Sequence, residues 1–176
     1  MANGDNKTTS KSVTIEEIMF TIISATQEVF KEYMDVQLLA GLVVKQIQAI
    51  NMDLIAIVGI SGPRVGYIMI GSDMRSASRI TMKLLSEDSV DEPSIRDAFG
   101  ELANNIAGAF RTKYHEQYGR VAMGLPLVAS GMIQPIGAPE EKKAKKTSTL
   151  KIQQQGVVIP FQAADNSLQL RVMFYM

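Results

Sequence analysis

Apolar residues recur along this chain with two different periods, and the switches between them divide it into helices and strands. Ile15, Ile18, Met19, Ile22, Val29 and Met34 fall at helical spacing. Thr14 stands three residues before Glu17, the pattern of a capping box, so a helix is predicted from there to about Met34. Residues 1–13 are small, polar and aperiodic, and are expected to be disordered. A strand is predicted around Leu42–Gln48 and an apolar one at Leu54–Ile60. Ser61-Gly62-Pro63-Arg64 then signals a turn into a strand at Val65–Ile70. Ser72 or Asp73 can cap a second helix with Ala77, Ile80, Leu84 and Leu85 on its inner face. Pro93 suits the first turn of a third helix, which runs to about Gln117 and ends at Gly119. The last third reads as strands at Leu125–Ala129, Gln155–Gln162 and Leu168–Tyr175, with Ala163–Asn166 as the final turn. Residues 135–148 are predicted to be a solvated loop, since Pro135–Lys146 holds two Glu and four Lys among Pro and Gly.

Val- and Ile-rich strands joined by turn signals favour hairpins over helix crossovers. The expected fold class is therefore α+β, with one mainly antiparallel sheet packed against long helices in two layers, as a single domain over residues 14–176.

The third helix carries an unusual polar run, Glu101-Leu102-Ala103-Asn104-Asn105-Ile106-Ala107-Gly108. At about 100° per residue, Glu101 and Asn104 lie about 60° apart and one turn from each other. Gly108, two turns beyond Glu101, returns to nearly the same direction. Ile95, Phe99, Leu102, Ile106 and Phe110 form a stripe on the opposite side. A carboxylate, a carboxamide and a glycine thus share the outer face of an anchored helix. Such a face suits presentation of a polar pair to something large that docks from outside.

Glu101-x-x-Asn104 followed by Gly108 resembles the signature helix of the CheC/CheX/FliY phosphatases, which act on the phosphorylated response regulator of bacterial chemotaxis. The likeness is greatest to the CheX type. GISGPRVGYIMI before the helix resembles that type's hairpin, and LPLVASG after it resembles the strand that follows the motif helix. The resemblance covers roughly Val43 to Met176, apart from the Lys-rich insertion. It implies the same two-layer α+β fold and a homodimer assembled through sheet strands. The apolar C-terminal segment LRVMFYM, hazardous as an uncovered edge, is the one sequence feature in line with that dimer.

The resemblance also implies roles. Asn104 would orient the water that attacks an aspartyl phosphate on a CheY-like receiver domain, and Glu101 would pair with the receiver's lysine. Gly108, Asn105 and Asp97 would lie toward the partner. A carboxamide has no useful proton affinity, but it donates and accepts hydrogen bonds at once, as holding a water in line with phosphorus requires. The receiver would bring the acyl phosphate, the divalent metal and the lysine, so this chain itself would bind no cofactor and no metal. Asn105 leaves a one-residue ambiguity of register, since Glu101 and Asn105 also face each other at i,i+4; the family pattern selects Asn104. Only one such site is evident, because the first helix offers Glu28, Glu32 and Gln37 but no comparable motif.

Composition narrows the alternatives. The 176 residues carry 18 basic and 18 acidic side chains, so nothing marks a nucleic-acid or membrane surface. The absence of Cys removes disulfides and thiolate chemistry. No signal peptide or membrane-spanning run is evident, and the expected location is the cytoplasm. Gly59, Gly62, Gly66 and Gly71 fit a hairpin with close backbone packing, not a phosphate loop, because no Gly-Lys-Ser/Thr follows. The 11 Met residues read as packing filler. His115 would lie roughly 21 Å along the helix from Glu101, too far to share one small group with it. The competing function is a non-catalytic receiver-binding or flagellar-switch-type interaction module, which would have no chemical need for both Glu101 and Asn104. An enzyme for a small metabolite would need a polar pocket that no segment supplies.

Overall fold

Each helix of the computed structural model begins at a side-chain cap. The structure describes residues 13–46, 49–62, 66–133 and 155–176. Helix α1 (Ile15–Met34) starts in the expected capping box: the Glu17 amide donates to Thr14 Oγ1 at 3.2 Å, and the Thr14 amide donates to Glu17 Oε2 at 2.9 Å. Helix α2 (Met74–Leu85) has Asp73 as its N-cap, with Oδ1 accepting from the Ser76 amide at 2.8 Å. Asp53, far away in sequence, takes a second free amide there, that of Met74, at 2.9 Å. Helix α3 (Glu92–Tyr118) starts at Asp91, with Pro93 in its first turn, and ends at Gly119.

The sheet runs in the order β1 (Leu38–Ala40), β6 (Gly156–Ala163), β7 (Gln169–Tyr175), β3 (Gly66–Ser72), β2 (Ile50–Ser61). Two further strands, β4 (Ala122–Met123) and β5 (Leu127–Ile133), both pair with the side of β2 away from β3. Every pairing is antiparallel. The predicted α+β class is therefore the observed one.

Alternation along the strands builds two apolar clusters. Leu54, Ala56, Val58 and Ile60 of β2, Ile68 and Ile70 of β3, and Val172 and Phe174 of β7 join the main core beneath the helices. The residues between them, Ile55, Met69, Met173 and Tyr175, with Val158, form a smaller cluster on the other face. Met52 packs against that cluster too, so three methionines serve as the filler expected of them.

Several boundaries depart from expectation. The run Leu42–Gln48 makes no strand in its described part; pairing falls instead at Leu38–Ala40, with one isolated bridge from Val44 to Val158. Pro160 explains the break. Gly41 donates to its carbonyl at 2.8 Å, but Pro160 has no N–H to return the bond, so the ladder stops there. Residues 47 and 48 lie outside the described set. β5 starts two residues later than predicted, after Pro126, which also lacks a ladder donor, and Leu125 is left exposed. The short β4 carried no sequence signal. Leu85, expected to face inward, is exposed in the last turn of α2. LRVMFYM is no edge: β7 lies between β6 and β3. The predicted tail at 1–13, Val13 excepted, and the Lys-rich loop at 135–148 lie outside the described residues. Among those described, no helix is long and apolar enough to cross a membrane.

The hairpin glycines are testable one against another. A Cβ on Gly66 would sit 2.3 Å from the Tyr175 carbonyl oxygen, whereas one on Gly59 would meet nothing within 4 Å. Gly66→Ala is therefore expected to lose about 1–3 kcal/mol in urea unfolding. Gly59→Ala should be neutral or gain about 0.5–1 kcal/mol. Equal effects would contradict the strand register.

Candidate functional site

Helix α3 is half sunk into the fold. Ile95, Phe99, Leu102, Ile106 and Phe110 are buried, as the periodicity predicts. Ala98, Ala103 and Ala107 are buried with them and widen the covered arc. Helices α1 and α2 and strands β2 and β5 all pack against α3. Lys113 ties α3 to α1 through a 2.5 Å ion pair to Glu28.

The neighbouring helix changes the character of the polar face. Asn104, Asn105 and Gly108 are each half-buried and line an open groove of about 410 Å³. Its other wall consists of Glu28, Glu32 and Tyr33 of α1, with Val29 and Ala109 as apolar lining. Glu101 and Asp97 are exposed and are not among the lining residues; they continue the same helix one and two turns toward its N-terminus. The expected outer face is thus part groove and part open surface. Periodicity locates the polar side of one helix but does not reveal which second helix stands beside it. The α1 wall was accordingly missed, and its sequence signal is slight: Glu28 and Glu32 share a polar i,i+4 face.

Gly108 and Gly100 hold their places on α3 for different reasons. A Cβ on Gly100 would press to 3.2 Å from Val128 Cγ2, so that glycine permits the approach of β5. A Cβ on Gly108 would meet nothing within 4 Å. Among the described residues no packing requires glycine at 108, and its bare turn keeps the groove open. The Gly108 carbonyl accepts from Thr112 Oγ1 at 3.1 Å.

The start of α3 is held electrostatically. The Ser94 hydroxyl and amide hydrogen bonds keep the Asp91 carboxyl below the ordinary Asp range. Arg96 reaches Glu92 at 2.7 Å, and its other terminal nitrogen lies 3.4 Å from Ser130 Oγ on β5. His115 is exposed two turns beyond Gly108, well away from Glu101. Among the described residues, no group of three or more His, Cys, Asp or Glu could hold a metal ion.

With this geometry in view, the comparisons with known proteins converge. Residues 54–162 match the family model described as chemotaxis phosphatase CheX. That span contains the α3 polar run but begins later and ends earlier than the likeness seen in the sequence. The chemotaxis protein CheX of Desulfovibrio desulfuricans superposes with a TM-score of 0.74 at 23% identity, covering 90% of this chain and 97% of that one. CheX of Vibrio vulnificus gives 0.69 at 19% identity, covering 91% and 99%. A chain of the CheX–CheY–BeF3–Mg²⁺ complex of Borrelia burgdorferi gives 0.63 at 21% identity, covering 90% and 96%. At these identities the superpositions establish the fold. No curated protein is significantly similar in sequence.

The open space at position 108 makes a stability prediction independent of activity. Gly108→Ala should raise the urea midpoint, by up to about 1 kcal/mol in free energy, because alanine is the better helix former and meets no obstacle. A loss of stability would mean that the glycine is required by packing after all.

Proposed function

This chain belongs to the CheX family of chemotaxis phosphatases, and on that premise we propose that it hydrolyses the aspartyl phosphate of a CheY-like receiver domain, with Asn104 orienting the attacking water. The observation that carries the proposal is the shared groove, in which a carboxamide stands beside a glycine that no internal contact requires. In the reaction, water oxygen bonds to phosphorus while the bond from phosphorus to the aspartyl oxygen breaks. The products are a carboxylate on the receiver and inorganic phosphate. A carboxylate is a good leaving group, so the chemistry asks chiefly for a positioned water and charge stabilisation.

The division of labour follows from side-chain chemistry. Asn104 can accept from the water and donate to an equatorial phosphoryl oxygen without itself ionising. Glu101, exposed one turn away, grips the receiver through its lysine. Gly108 lets the receiver's surface come close, and Asn105 and Asp97 lie along the docking path. The divalent metal belongs to the receiver. Support for a receiver as partner comes from the related fold solved with CheY, BeF3 and Mg²⁺.

Dimerisation is part of the proposal, through a different edge from the one the sequence indicated. β7 is interior, whereas among the described residues β5 pairs on one side only, with β2. It carries Leu127 and Met132, which are 63% and 69% exposed. An open apolar edge is a pairing surface, and two β5 strands meeting would continue the sheet across both copies. Sedimentation at micromolar concentration should show a dimer that Met132→Lys weakens; a monomeric wild type would remove this part.

Catalysis is tested by loss of label from phosphorylated receivers of the same genome. Asn104→Ala should lower the accelerated rate on the order of a hundredfold, as removal of a single positioned donor does elsewhere, while fold and dimer persist. Glu101→Ala should weaken the complex, Gly108→Leu should block docking by bulk, and Asn105→Ala should leave the rate nearly unchanged. An inactive Asn105→Ala with an active Asn104→Ala would move the register by one residue. If the wild type accelerates no receiver, the binding-module function takes the place of catalysis.

A further inference from the structure

We infer that the C-terminal turn of α1 is a specificity-determining wall of the receiver-binding groove, with Tyr33 as its apolar contact and Glu32 as its charge. The inference rests on the receiver-binding function proposed above and extends it to residues outside the Glu101–Gly108 run.

Tyr33 lines the groove together with Asn104 and Asn105, yet it is 51% exposed. Its neighbours on α1, Phe30 and Met34, are buried, so that turn of helix is firmly seated while this one ring is left outside. An exposed aromatic at the lip of a polar groove gives a partner a large contact area at small entropy cost, since only two torsions need be fixed. Glu28 and Glu32 stand one turn apart on the same wall but differ in their electrostatic state. Glu28 is held by Lys113 at 2.5 Å, whereas Glu32 has no ion pair among the described residues. The wall therefore presents one neutralised carboxylate and one without an ion pair, in a groove that Arg111 of α3 also lines.

With Arg111 on the α3 side of the groove and Glu32 on the α1 side, the carboxylate sets the sign of the α1 wall. It repels a bare phosphoryl dianion but tolerates or attracts one ringed by cationic groups, as an acyl phosphate held with a metal ion on a folded protein must be. The wall is also rigid. Val29 and Phe30 anchor it in the core and the Glu28–Lys113 pair fixes it to α3, so it requires no reordering when a partner arrives. A receiver accepted by this groove should bring an apolar side chain to Tyr33 and a basic one to Glu32.

The test compares full-length wild type with Tyr33→Ala, Glu32→Gln and Phe20→Ala. The last removes another exposed aromatic of α1 that does not line the groove. Affinity is measured by calorimetry on the receiver charged with beryllium fluoride and Mg²⁺, and KM and kcat on the phosphorylated receiver. Tyr33→Ala is expected to raise Kd and KM about tenfold with kcat within about twofold. Glu32→Gln should raise both about threefold at low salt, with the difference shrinking as salt is added. Phe20→Ala should match wild type. Unchanged Kd in both groove variants, or an equal loss in Phe20→Ala, overturns the inference. If wild type binds the charged receiver without accelerating its dephosphorylation, the catalytic proposal fails, while the comparison of Kd values still decides the role of α1. If wild type binds no receiver, both fall.

Discussion

The seating of α3 on the sheet is the constraint from which the rest of the molecule follows. Phe99, Leu102, Ile106 and Phe110 are all buried against strand residues of the main core. Each such side chain contributes about 1.5–3 kcal/mol by leaving water, so rotating α3 by even one residue would expose several of them. That cost fixes the helix about its own axis. Once the axis is fixed, the directions of Glu101, Asn104 and Gly108 are no longer free, and the polar face is held by a hydrophobic one that touches none of the chemistry.

A second level of control is the placement of the helices relative to one another. Helix α1 packs along α3, and the Glu28–Lys113 pair ties the two together. Between the two helices the surface is concave. Asn104 is half-buried there because of its neighbour, while Glu101 stays open to solvent one turn away. A single helix thus offers one residue inside a groove and another on a free surface. That difference suits the roles proposed for them, one side chain positioning a water and the other gripping a protein.

Local capping shows how sequence-distant groups cooperate to place these helices. Asp73 and Asp91 sit at the starts of α2 and α3, and their roles follow from adjacent sequence. Asp53 does not fit that pattern. It lies where the pairing of β2 with β5 shifts register between Met52 and Ile55, and the irregularity leaves its carboxylate on the Met74 amide. The sheet therefore reaches across to hold the second helix, from a shift in strand register that no motif announces.

Periodicity alone determined most of what is local in this protein. The extent of α1 and α3, the buried stripe of α3, the capping box at Thr14, the final hairpin and the α+β class all follow from residue spacing, because neighbours one turn or two residues apart must share a side. The polar run Glu101–Gly108 was legible for the same reason. Tertiary structure decided what depends on elements distant in sequence. Pro160 interrupted the ladder after Ala40 from a strand more than a hundred positions away, leaving a single bridge at Val44, and LRVMFYM became an interior strand because β3 and β6 flank it. The groove exists only where α1 meets α3, so Glu32 and Tyr33 acquired a place beside Asn104 that no spacing along the chain encodes.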